Sequence, residues 1–130
     1  MIVVDTSVWV DYFNGTQTPQ TDILHAMLGQ QIIVIGDLIY TEVLQGFSSD
    51  NDFRKARQLL DTLVFREMVG REIALKSAGN YRFLRRQGIT VRKTIDVIIG
   101  TYCIESNMAL LHADKDFDVL ETHLGLQIVK

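Results

Sequence analysis

The sequence predicts an α/β fold, a sandwich of helices around a mostly parallel sheet of four to five strands. Three observations carry that prediction. Short apolar runs rich in branched side chains, Ile2 to Val4, Ile32 to Ile35 and Ala109 to Leu111, have no polar interruption and read as strands buried on both faces. Stretches of helical periodicity separate them, and the connections are short. The first run ends at Asp5, and acids follow the third run at Asp114, Asp116 and Asp118. In open α/β folds that edge of the sheet binds ligands.

After Asp5, Thr6 and Ser7 are good helix-capping types, and Val8, Trp9, Tyr12 and Phe13 recur at helical spacing. Asn14-Gly15 marks a turn, and the loop runs through Pro19, the only proline. Thr21 is expected to cap a helix carrying Ile23, Leu24, Met27 and Leu28 and ending at Gly29. The run IIVI stops at Gly36, and Asp37 is expected to cap a helix reaching Gln45, with Gly46 as its stop. Asp50 and Asn51 open another helix, Val64-Phe65 reads as a short strand, and a long helix covers about Arg71 to Gln87. Thr94 is expected to cap an apolar helix through Ser106. A short helix over Asp116 to Leu120 and a last strand over Leu126 to Val129 complete the chain.

At 130 residues and 47% hydrophobic content the chain can bury a core as one domain, residues 1–130, and is not disordered. A single cysteine, Cys103, excludes an internal disulfide and a cysteine-based zinc site, which fits a reducing cytoplasm. No signal peptide and no membrane-length apolar run are visible. The net charge of −3 argues against a simple polyanion binder, but its distribution is uneven. Residues 1–53 hold seven acids and no Lys or Arg, whereas 11 of the 13 basic residues lie between Arg54 and Lys93. A polyanion meeting an acidic centre needs cations between, and a divalent metal answers that need.

Two acids stand on apolar helix faces. Glu42 shares a face with Leu38, Ile39 and Val43, and Asp96 shares one with Ile99, Gly100 and Cys103. An unpaired buried carboxylate costs several kcal/mol, on the order of 2–7, so it must be neutralised, paired or bound to metal. Arg92 is the basic residue one turn before Asp96. Singly, Asp5 and Asp114 read equally well as helix caps and Asp96 as a first-turn acid favoured by the dipole. Together they form a set of hard oxygen donors suited to Mg²⁺ or Mn²⁺ rather than Zn²⁺.

The segments DTSVWVDYF, TEVLQG, TIDVIIGTYCIE and LLHADKDF, in this order and spacing, resemble the PIN-domain ribonucleases, and among them the VapC-type toxins of toxin–antitoxin modules. The resemblance implies a PIN-like α/β/α sandwich and a cytoplasmic Mg²⁺-dependent endoribonuclease, with Mn²⁺ as a substitute. It maps Asp5, Glu42, Asp96 and Asp114 onto the catalytic, metal-binding carboxylates, with Asp116 as a companion. Thr6 or Ser7 matches the hydroxyl that orients a carboxylate or a water. His112 stands where the family more often has Thr or Ser, and a structural role is expected for it.

The expected partners are an RNA substrate, a cognate antitoxin and a second copy of the chain. Arg82, Arg85, Arg86, Arg92 and Lys93 are the candidate RNA contacts, the last two because they adjoin the helix of Asp96. Trp9 is assigned to the core, and Tyr12, Phe13, Tyr40 and Phe47 to an antitoxin groove implied by the resemblance. Two other functions fit less well. A metal-dependent phosphatase of the strand-end Asp type would want a second Asp where Ser7 stands, and a non-catalytic binding module has no need of the full acid set.

Overall fold

The computed structural model describes residues 1–130, and its centre is a four-stranded sheet. Strands β1 (Ile2–Val4), β2 (Ile33–Gly36), β3 (Val64–Arg66) and β4 (Ala109–Leu111) are all parallel, in the order β3-β2-β1-β4. Val3 sits opposite Val34 on one side and Leu110 on the other. Val3, Val4, Val34, Leu110 and Leu111 are fully enclosed, which is why these strands lack the alternating pattern of a half-exposed sheet. From β1 the chain proceeds to β2 and β3 on one side, and β4 then returns to the other. The direction of progress therefore reverses between β1 and β4, and a crevice opens outside their carboxyl ends.

The helices are α1 (Thr6–Phe13), α2 (Pro19–Met27), α3 (Asp37–Gln45), α4 (Asp50–Leu60), α5 (Gly70–Arg86), α6 (Thr94–Glu105) and α7 (Asp118–Leu124). A 3₁₀ turn over Lys115–Phe117 leads into α7. One hydrophobic cluster of 27 buried residues runs through the sheet and the helices, with Trp9, Leu24, Ile39, Leu60 and Leu120 among its fully enclosed members. Helix α6 is buried almost all round, as its apolar sequence requires, and Asn80 Nδ2 on α5 donates to its Thr101 Oγ1 at 3.0 Å. Gly100 is where α6 meets α7, because a Cβ there would run into the Leu120 side chain.

Several helix starts differ from the sequence reading, each for a local reason. Thr18, not Thr21, caps α2. The Thr18 hydroxyl accepts from Thr21 N at 3.0 Å while Thr21 Oγ1 accepts from Thr18 N at 2.8 Å, a reciprocal capping box with Pro19 at the first helical position. Gly36 occupies the cap position of α3 and Asp37 is already helical. Lys93 takes the cap position of α6 without a side-chain bond, and Thr94 is its first residue. Ile32 lies outside β2 and is exposed. The expected last strand over Leu126 to Val129 is reduced to a single parallel bridge between Ile128 and Leu110, so the sheet stays at four strands.

Candidate metal centre

Asp5 is delivered by β1. Its backbone N–H donates to Leu111 O at 2.9 Å, locking it to the end of β4, and its side chain caps α1. Oδ2 accepts from Ser7 N at 3.0 Å and from Ser7 Oγ at 2.7 Å. Both bonds converge on one oxygen, which leaves Oδ1 for another partner. Ser7 Oγ in turn accepts from Ala113 N at 3.1 Å, so one hydroxyl ties the start of α1 to the segment after β4. Burial pushes the Asp5 carboxyl up, the Ser7 bonds oppose that, and the Asp114 charge adds to it.

Asp96 comes from the first turn of α6 and is buried. Its carboxyl is pushed up to about 7, first by burial and then by the neighbouring Asp5 charge. Asp114 follows β4 and starts the 3₁₀ turn by accepting from Asp116 N at 3.0 Å. Burial acts to raise Asp114, but the Asp116 N–H and the Lys93 ammonium outweigh it and hold the carboxyl below its ordinary value. One oxygen each from Asp96, Asp114 and Asp116 lie within 4.8 Å of one another. Asp96 Oδ2 and Asp116 Oδ2 are buried and accept no hydrogen bond. Two enclosed carboxylate oxygens without a donor, close to further acids, suit a hard cation with oxygen ligands.

Lys93 is the protein's own cation at this place. Its Nζ lies 3.3 Å from Asp114 Oδ2 and 4.0 Å from Asp96 Oδ2, the latter too long for a hydrogen bond. The bond to Asp114 and the surrounding acids raise its pKa. The basic partner one turn before Asp96 is thus Lys93 at i−3, and Arg92 forms no ion pair. The spacing was readable, but which side of the helix start would face the acids was not. Arg82 and Arg85 lie farther round, lining a cleft of about 460 Å³ between α5 and α6 with Tyr81 and Thr94, and Arg86 is exposed without an acidic partner.

Glu42 is placed differently from Asp96, Asp114 and Asp116. Thr6 Oγ1 donates to its Oε1 at 2.8 Å, and like Asp5 it lies outside their compact group. The two hydroxyls after Asp5 therefore divide the work, Ser7 holding Asp5 and Thr6 holding Glu42. His112 accepts from Asp114 N through Nδ1 at 3.2 Å, and its ring lies 5.1 Å from that of Phe117. It steadies the loop that carries the acids. Cys103, deep in α6, is pushed up to about 12 by burial and is an inert core thiol.

The aromatic residues separate into two groups. Trp9, Tyr12, Phe13 and Phe47 form a connected set of ring contacts 5.8–6.2 Å apart, with Trp9 enclosed. Phe13 and Phe47 line a cavity of about 340 Å³ between the ends of α1 and α3 and the start of α4. Tyr40 stands apart from them. It packs edge-on against Phe65 and donates to Asp61 Oδ1 at 2.9 Å. No helix is long and apolar enough to cross a membrane.

Residues 2–122 match the sequence profile of the PIN domain. The chain is 32% identical over 129 residues, 98% of its own length and 96% of the relative's, to VapC ribonuclease Mb1587 of Mycobacterium bovis and, to the same extent, to ribonuclease VapC11 of Mycobacterium tuberculosis. Its backbone is similar to a chain of VapBC2 from Rickettsia felis bound to a promoter DNA fragment, with a TM-score of 0.71, 18% identity and coverage of 99% and 98% of the two chains. It is similar also to a chain of a toxin–antitoxin complex from Klebsiella pneumoniae, with a TM-score of 0.73, 20% identity and coverage of 100% and 97%. Acids from β1, α6 and the segment after β4 meeting at the switch point of a parallel sheet, together with these matches, establish that the chain belongs to the PIN-domain family.

Proposed function

We propose that this protein is the endoribonuclease toxin of a toxin–antitoxin module, hydrolysing RNA phosphodiester bonds at a Mg²⁺ centre. The observation that carries the reading is the convergence of Asp5, Asp96, Asp114 and Asp116, with two buried oxygens lacking donors. Its relatives bear the name VapC ribonuclease, which supports the RNA substrate. Asp5, Glu42, Asp96 and Asp114, with Asp116 as a companion, would hold the cation directly or through water, and Mn²⁺ can replace Mg²⁺ because every donor is oxygen. The chemistry that a divalent cation would supply there is activation of a water molecule and neutralisation of charge at the phosphate.

The chain's other residues prepare that site. Ser7 fixes the Asp5 carboxylate, and Thr6 fixes that of Glu42. Lys93, Arg92 and the α5 residues Arg82, Arg85 and Arg86 contact the RNA backbone. The rings of Tyr12, Phe13 and Phe47 offer an apolar groove to an antitoxin segment, with Tyr40 outside it. The toxin–antitoxin complexes among the structural neighbours support such a partner, and the resemblance to the family implies a homodimer. Incubation with structured RNA tests the proposal. Cleavage in Mg²⁺ that stops with EDTA and with Asp5→Asn is expected. Cleavage that persists in both rejects it.

A further inference from the structure

We propose that Lys93 is an internal counter-cation of the acidic centre, which a divalent ion must displace and which thereby sets the affinity of the site for metal. The inference rests on the metal-site reading above. Geometry carries it. The Lys93 ammonium lies 3.3 Å from Asp114 Oδ2 and 4.0 Å from Asp96 Oδ2, so it bridges two of the three acids that form the compact group. Asp96 is buried while the Lys93 side chain is 55% exposed. The lysine therefore reaches inward from the surface to the mouth of the cluster. Its flexible stem allows it to swing out without moving the backbone, which a rigid guanidinium fork would do less readily.

The physical consequence is competition. Without metal, Lys93 compensates charges that would otherwise repel one another. An incoming ion gains the carboxylates only after breaking those contacts, so its apparent affinity falls by the strength of the lysine's hold. Once displaced, the ammonium remains next to the centre, where a substrate phosphate can take it up. No other basic side chain is so placed, since Lys115, adjacent to Asp114 in sequence, engages no carboxylate.

Mn²⁺ is titrated into the full-length protein without RNA, and free ion is followed by its EPR signal, for wild type, Lys93→Gln and Lys115→Gln. Lys93→Gln is expected to bind Mn²⁺ roughly fivefold tighter. Lys115→Gln removes the same formal charge but no contact, and is expected to change affinity by less than about twofold. In EDTA, Lys93→Gln is also expected to melt lower than wild type and to gain more on adding Mn²⁺. A wild type that binds Mn²⁺ beside a Lys93→Gln of equal or weaker affinity overturns the counter-cation role and leaves the metal centre standing. An equal gain in both variants reduces the effect to net charge and overturns it too. No uptake by any of the three overturns the lysine's role and the metal centre together.

Discussion

Two strands of this sheet end in the same way and do different things. β1 ends at Asp5 and runs into α1, and β2 ends at Gly36 and runs through Asp37 into α3. Asp37 Oδ1 accepts from Leu38 N at 2.9 Å and from Met68 N at 3.0 Å, so this carboxylate staples the segment after β3 to the start of α3. Asp5 instead faces other acids: the Asp114 charge helps to raise it, and its own charge helps to raise Asp96. Sheet order makes the difference. β2 lies between β1 and β3, inside a run of strands that advances in one direction, whereas β1 meets β4 at the reversal. An acid at a strand end is placed to meet a ligand where the neighbouring strand leaves a crevice.

Substitutions at the two strand ends should have opposite effects. The largest effect is expected for Asp5→Asn or Asp96→Asn, which should lower RNA cleavage by about 10²-fold or more while the metal-free protein melts no lower than wild type by more than about 1 kcal/mol. Cleavage assays beside thermal melts in EDTA check both halves. Asp37→Ala should do the reverse. Two backbone N–H groups lose their acceptor, at a cost of about 2 kcal/mol in a urea melt, with cleavage per folded molecule unchanged.

The acids also give the two regions different responses to pH. The Asp96 carboxyl is raised from the ordinary 3.8 to about 7, and Asp5 is shifted the same way. Between those values the folded chain binds more protons than the unfolded one, so metal-free stability falls as pH rises through that window. Asp114, held low, acts with the opposite sign, but only below its ordinary value. Melting in EDTA should therefore decline from pH 5 to pH 8 by a few degrees, on the order of 5 °C. Saturating Mg²⁺ should remove the decline, because the ion takes the carboxylates deprotonated. Asp96→Asn should flatten the metal-free profile, and Asp37→Asn should not.

The smallest effect is expected at the hydroxyls. Ser7→Ala removes the bond to Asp5 Oδ2 and the acceptor of Ala113 N, whereas Thr6→Val frees only Glu42. Ser7→Ala should thus lower cleavage roughly tenfold and Thr6→Val by less, read as kcat at saturating Mg²⁺. Equal losses would place Glu42 on the same footing as the Asp residues.

Local sequence pattern marks much of the site. Asp5 and Asp114 follow apolar runs, and Asp96 interrupts an otherwise apolar helix face, so local pattern alone made them anomalous. Glu42 stands out by the same rule, but its bond to Thr6, the residue next to Asp5, joins positions 36 apart and no helix-face pattern encodes it. The strand order, and with it the contrast between Asp5 and Asp37, depends on pairings between residues such as Val3 and Leu110 that no local pattern encodes. The same holds for the Ser7 bond to Ala113, which joins opposite ends of the chain. The missing fifth strand has a plainer cause: β4 receives the last segment through hydrogen bonds on Leu110 alone.

A divalent cation at the β1–β4 crevice, and none near the end of β2, is the central expectation. The direct measurement is the rise in melting temperature on adding Mn²⁺ to metal-free protein at pH 7.5, for wild type, Asp96→Asn and Asp37→Asn. Wild type and Asp37→Asn are predicted to rise together by several degrees, about 5 °C, and Asp96→Asn hardly at all. An undiminished rise in Asp96→Asn, or its loss in Asp37→Asn, would contradict the account.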